Sequence, residues 1–410
     1  MDAVRIVESP VHHGDHSGLL KQCRTHAATD ATVDAIIVPS ARTAPYLVEA
    51  AGLAEQLNCT LVVLCSRHAR QRDVVAYLED EVFVLDLVAV DLPDARTVRF
   101  PQLRTSKMLA ETLFERRTDT SAKRNVGLAL ARMVGWAKVM YLDDDITLLD
   151  PNELHRAAAE LDDHDAVGLS IGGYPDNSVV CHAYRATGGR QATFLGGGAL
   201  AVPVERTASF FPEIYNEDWF FLLGDERLRP ATMIGTAAQI PYDPFGDPDR
   251  ARREEFGDVL AEGIFALLDR CRKIQDADEI YWDAFLSHRG SMIDDIIARV
   301  PDCEMEPEQR YRMLSALKAA RGRLCRITSR LCVEYVEAWQ EDRITWWRYF
   351  EGLPRDLPVE KALSYLRLRG RFTVRWNRTG LRPREPRLIE ARRRLGRAAK
   401  EVRRQGGRPE

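Results

Sequence analysis

Short runs of apolar, often β-branched residues alternate with segments of helical periodicity, and this alternation leaves few folds open to the chain. Ala35-Ile36-Ile37-Val38 is followed by Leu47, Ala50, Ala51, Ala54 and Leu57 on one helical face. Leu61-Val62-Val63-Leu64 and Val82-Phe83-Val84-Leu85 come next, and Val139-Met140-Tyr141-Leu142 follows a helix expected over Ala122–Lys138. Strands that are apolar on both faces, interleaved with amphipathic helices, belong to a mostly parallel sheet covered by helices on its two sides. The fold class read from this is α/β, with ligands expected at the carboxyl ends of the strands.

Composition narrows the class further. The chain has 410 residues, 45% hydrophobic and 29% charged, which is long enough for more than one packed unit. No stretch reaches the roughly 18 apolar residues of a membrane span. The opening MDAVRIVESP has no secretory pattern, and the eight cysteines contain no CxxC pair, so the expected setting is cytoplasmic, with free thiols. The net charge of −4 divides into +7 for 382–410 and −11 for the rest. An acidic body argues against nucleic acid as a partner. Four parts are expected: an N-terminal extension over 1–33, an α/β unit over 34–250, a helical region over 251–380 and a basic tail over 381–410.

The chemistry concentrates where the strand at 139–142 meets Asp143-Asp144-Asp145. Carboxylates crowded at the end of a buried strand repel one another, and a hard divalent cation such as Mg²⁺ or Mn²⁺ relieves that repulsion. If the strand continued, Asp143 and Asp145 would face one side. A solvated acidic turn is the bland alternative. Upstream, Lys123 and Arg124 fall in the first turn of a helix, where the macrodipole disfavours cations by about 0.3–1 kcal/mol each. A bound anion such as a diphosphate would offset that cost. Gly196-Gly197-Gly198 lets a backbone approach a ligand closely. Glu217-Asp218, set among Tyr215, Trp219, Phe220 and Phe221, offers a carboxylate of raised pKa for general-base work, or simply a capped core helix.

In their order along the chain, Pro39-Ser40, Lys123-Arg124-Asn125-x-Gly127, Asp143-Asp144-Asp145, the glycine run and Glu217-Asp218-Trp219 resemble the nucleotide-sugar-dependent glycosyltransferases of the GT-A fold, family 2 in particular. The resemblance spans roughly 34–245. It implies a metal-dependent transfer of a sugar from a nucleotide-diphosphate donor to an acceptor hydroxyl, with inversion. Asp143 and Asp145 are then metal ligands. Pro39, Ser40, Arg42, Lys123, Arg124, Asn125, Asp143, Asp144, Gly197 and Gly198 are nucleotide-sugar contacts. Asp218 is the base, and Glu217 and Trp219 belong to the acceptor side. Where many relatives carry an acidic residue after the second strand, this chain has Cys65-Ser66, so the base that it reads is left open.

Other readings stand beside this one. Asp143-x-Asp145-x-Thr147 after an apolar strand also resembles the nucleophile motif of haloacid-dehalogenase phosphohydrolases, although Ile146 replaces the usual glycine. A metal-dependent nucleotidyltransferase needs a similar acidic set, but Pro39–Thr43 holds no glycine. An inactive GT-A domain acting as a binding module is the non-enzymatic alternative. In the tail, Leu388, Leu395 and Val402 lie seven apart among arginines, a pattern for peripheral contact with an anionic membrane or for a solvated helix.

Overall fold

A computed structural model describes residues 16–23, 30–148, 150–172, 178–189, 194–207 and 209–377. Along the chain come β1 (Ala35–Ser40), α1 (Val48–Leu57), β2 (Thr60–Cys65), α2 (Gln71–Asp80), β3 (Leu87–Asp91), α3 (Arg104–Leu109), α4 (Thr120–Val134), β4 (Lys138–Leu142) and β5 (Ile146–Leu148). They continue with α5 (Asn152–Glu160), β6 (Ala166–Gly172), α6 (Val179–Ala186), β7 (Ala199–Pro203), α7 (Glu217–Leu222) and β8 (Ala231–Gln239). A run of helices follows, α8 (Pro248–Asp269), α9 (Glu279–Arg299), α10 (Pro307–Leu324), α11 (Ser329–Glu351) and α12 (Val359–Tyr365), before the chain returns to the sheet as β9 (Phe372–Arg375).

The strands form one sheet in the order β5-β8-β6-β7-β4-β1-β2-β3-β9. Pairing is parallel through β4-β1-β2-β3 and between β6 and β8. β7 enters antiparallel between β6 and β4, and β9 closes the far edge antiparallel to β3. This is an α/β fold with a mixed sheet and a C-terminal helical region, as the alternating pattern implied. Alternation of side chains explains its two cores. Ile37, Val62, Leu64, Val88 and Val90 pack with α4, α8 and the later helices. Ile36, Val38, Leu61, Val63 and Ala89 pack with α1, α2 and α5. Gly127 lets α4 lie close on β1, since a Cβ there would sit 2.8 Å from Ile37 Cγ2.

The structure corrects the third expected strand. Residues 82–85 end a helix instead of extending: Val82 takes a left-handed φ of 58°, and its N–H donates to Glu79 O. Phe83 N–H donates to Leu78 O, closing α2, and the strand is delayed to Leu87. Apolar runs do not distinguish a helix C-terminus from a strand when the capping bonds are made by the backbone. The helical reading of the region after 250 also omitted β9, whose four residues alternate too briefly to stand out. Among the described residues no helix is long and apolar enough to cross a membrane. The basic tail over 381–410 lies outside the described residues.

Candidate active site

β1 and β4 are neighbours running in parallel, so their carboxyl ends present Ser40 and Asp143 on one rim of the sheet. β4 stops at Leu142, and Asp143–Asp145 form a tight turn in which Ile146 N–H donates to Asp143 O at 3.1 Å. The strand therefore does not continue through the three carboxylates. Two of them share Arg42 and the third meets Arg124. Ser40 Oγ donates to Asp144 Oδ2 at 2.6 Å, and Arg42 pairs with Asp144 and also with Asp145, at 3.0 Å to Oδ2 of the latter. Gln239 Nε2, at the end of β8, donates to Asp145 at 3.3 Å. Arg124 Nη2 reaches both oxygens of Asp143, at 3.0 and 3.2 Å.

Arg124 joins two acidic groups. Its Nη1 donates to Glu217 Oε1 at 2.7 Å, while Arg116 approaches Glu217 Oε2 at 3.2 Å. The first-turn cations of α4 are thus offset by the protein's own carboxylates. Lys123, 2% exposed, donates to Ser40 O at 2.8 Å and Ser66 Oγ at 2.7 Å and pairs with Asp119. Burial pulls the Lys123 ammonium below its ordinary pKa, against the upward pull of Asp119. The Nε of Arg124 is buried and has no hydrogen-bond partner among the described residues.

The glycine run lies against this set. A Cβ on Gly197 would meet Arg124 Nη1 at 2.7 Å, so the guanidinium can pass only beneath a bare backbone. Gly198 O accepts from Asp143 N–H at 2.9 Å. Gly197 N–H donates to Asp218 Oδ2 at 2.5 Å, and Trp219 N–H donates to Oδ1 at 3.0 Å. Burial raises the pKa of Asp218, with Glu217 adding to the shift and Arg124 and the two N–H groups opposing it. Burial also raises Asp143, to about 7, against Arg124 and helped by Asp145 and Asp144; its side chain remains a third exposed, so this shift is screened in part.

The structure therefore brings together Ser40, Arg42, Lys123, Arg124, Asp143, Asp144, Asp145, Gly197, Gly198, Glu217 and Asp218. Pro39 lies within β1, one residue before Ser40. Two predicted residues sit differently. Asn125 exchanges hydrogen bonds with the Phe211 backbone, 2.8 and 2.9 Å, so its amide clamps a loop. Trp219 is 2% exposed, packed on His16 and Phe265. Arg116 and Gln239 escaped the sequence reading, because nothing in their spacing connects them to the acidic turn.

Five carboxylates, Asp143, Asp144, Asp145, Glu217 and Asp218, face three guanidinium groups, Arg42, Arg116 and Arg124, and with Lys123 balanced by Asp119 the formal excess is two negative charges. Hard oxygen donors with that excess fit a divalent cation.

No protein-family model matches the chain, and no curated protein matches it either. Among solved structures, one similar chain is the mannosyltransferase PcManGT from Pyrobaculum calidifontis in complex with GDP-Man and Mn²⁺. It is 15% identical, with a TM-score of 0.40, over 79% of this chain and 91% of that one.

Proposed function

We propose that the chain is a divalent-metal-dependent glycosyltransferase that moves a sugar from a nucleotide-diphosphate donor to an acceptor hydroxyl with inversion. The observation that carries this reading is the convergence of the Asp143–Asp145 turn, the bare Gly197 backbone and the Asp218 carboxylate around Arg124. Mg²⁺ or Mn²⁺ would be held by Asp145 and Asp143, and when bound it supplies positive charge to the leaving diphosphate. Arg42 and Arg124 add fixed charge on the same side, the electrostatic contribution that usually dominates such transfers. Asp218 accepts the proton of the acceptor hydroxyl as its oxygen bonds to the anomeric carbon and the bond to the diphosphate breaks. Asn125 and Trp219 act by holding the loops beside the site.

The phosphohydrolase reading is weaker on this geometry. Asp143 would have to attack phosphorus, yet both of its oxygens are already engaged by Arg124 Nη2.

A thermal-shift panel of nucleoside diphosphates and nucleotide sugars, with and without Mn²⁺, tests the proposal. A ligand at about 100 times its dissociation constant adds about 2.7 kcal/mol of stability. The expected result is stabilisation by at least one nucleoside diphosphate that grows with Mn²⁺. In Asp145→Asn the nucleotide shift should lose its Mn²⁺ dependence while the unliganded Tm barely changes. Absence of any nucleotide or Mn²⁺ effect on the unaltered protein would refute the reading. The same panel run on Arg42→Gln separates two roles. Arg42 competes with a cation for Asp144 and Asp145, so this variant should bind Mn²⁺ alone more tightly and the diphosphate alone more weakly.

A further inference from the structure

Residues 16–23, part of the expected N-terminal extension, lie largely at the surface and send one side chain, His16, into the interior beside the candidate site. Lys21 N–H donates to Ala231 O at 2.8 Å and Thr232 Oγ1 donates to Lys21 O at 2.9 Å, tying the segment to the start of β8. A turn in which Leu19 and Leu20 N–H both donate to His16 O then delivers the His16 side chain inward. His16 is 0% exposed. Its ring stacks on Phe265 of α8 with centroids 4.3 Å apart and meets Trp219 edge-on at 4.1 Å. Its Nδ1 accepts the Leu195 N–H at 3.1 Å, which requires Nδ1 to be the unprotonated nitrogen of the ring.

The neighbours of these contacts matter more than the burial. Trp219 follows Asp218 and gives one of the two N–H groups that hold its carboxylate. Leu195 opens the glycine run, two residues before Gly197, which gives the other. One imidazole therefore grips both backbone segments whose amides aim the carboxylate, one by ring contact and one by hydrogen bond. Each segment has further anchors, Gly198 O on the Asp143 N–H and Trp219 against Phe265, and His16 is a single side chain that touches both.

We propose that His16 is a positioning residue, fixing the glycine loop against α7 so that the Gly197 and Trp219 amides hold the Asp218 carboxylate in one orientation. It touches no substrate and acts through Leu195 and Trp219. The kinetic half of this inference rests on Asp218 being the base proposed above; the structural half does not.

Two variants separate the two grips. His16→Phe keeps a ring in the stack and removes the acceptor, leaving the buried Leu195 N–H without it. His16→Asn loses the ring but keeps a short polar side chain with an oxygen acceptor. Both are made in the full chain and measured three ways: Tm, hydrogen exchange of the Gly197 and Trp219 amides, and turnover of whichever nucleotide sugar the unaltered protein consumes fastest. Misplacing a catalytic group by about 1 Å can cost about 100-fold in rate. His16→Phe is expected to lower kcat by about 10- to 100-fold with the donor KM held within about twofold, and to speed exchange at Gly197. His16→Asn should recover part of kcat and slow Gly197 exchange again while having the lower Tm of the two.

That crossed order, one variant better in Tm and the other better in kcat, is what mere core packing would not produce. Loss of kcat in parallel with Tm in both variants, or unchanged exchange at Gly197 and Trp219, overturns the proposal. If the unaltered protein turns over no nucleotide sugar, the proposed function fails, and the exchange measurement still decides whether His16 sets the two amides.

Discussion

Asp218→Asn is expected to lower kcat by roughly 10²–10⁴-fold, the contribution typical of a general base, while nucleoside diphosphate binding stays within about twofold. The asymmetry follows from where the side chain sits. Asp218 holds two backbone N–H groups, Gly197 and Trp219, and no guanidinium contacts it at hydrogen-bond distance among the described residues. Burial and the adjacent Glu217 raise its proton affinity, which suits a group that must take a proton from a hydroxyl. Asn keeps one oxygen for one of those N–H groups and cannot accept the proton. Glu217 is a poorer base, because Arg124 and Arg116 engage both of its oxygens. Glu217→Gln should therefore loosen Arg124 and raise the donor KM more than it lowers kcat. The measurement is steady-state release of nucleoside diphosphate by the two variants, with binding followed separately. If Glu217→Gln costs more kcat than Asp218→Asn, the roles are exchanged.

How far the site was legible depends on the range of each interaction. Asp143-Asp144-Asp145 could be located because the preceding apolar run fixes a strand end by local pattern alone. Arg124 and the glycine run stand out as residues, but their contact does not, since it is made between α4 and the loop that leads into β7. The same limit hid Arg116, which meets Glu217 across 101 positions of chain. His16 falls within the expected N-terminal extension, because a single buried imidazole leaves no periodic trace. Trp219 and Asn125 are placed at the site only by the family resemblance, and in the structure their side chains fill the core and clamp Phe211. The order of the sheet, with β7 inserted antiparallel between β6 and β4, depends on long-range pairing that no local window contains.

Removing one buried arginine on the helical side should have the largest effect on stability. Arg289 of α9 is 3% exposed and meets three carboxylates of α8: Glu255 at 2.6 Å, Asp258 at 3.0 Å and Glu262 at 3.0 Å. Asp258 also accepts from Asn216 at 2.9 Å, the residue that precedes Glu217 and holds a left-handed φ of 60°. The pair of helices is therefore fastened to the turn that launches α7. Arg289→Met keeps much of the volume and strands the carboxylates in the interior, so it should destabilise by about 3–5 kcal/mol. Its pH dependence has a definite sign. Burial raises Glu255 and Asp258 above ordinary carboxylate values, while Arg289 opposes the shift. A carboxyl group whose folded pKa lies above its unfolded value contributes stability that is complete below about pH 4 and is lost as pH rises through the folded value. Without Arg289 those folded values climb further, so the variant should lose more stability relative to the unaltered protein at pH 8 than at pH 5. Urea titrations at the two pH values measure the difference directly. An equal loss at both would mean that the carboxylates stay protonated together in the folded state, with Arg289 serving shape more than charge.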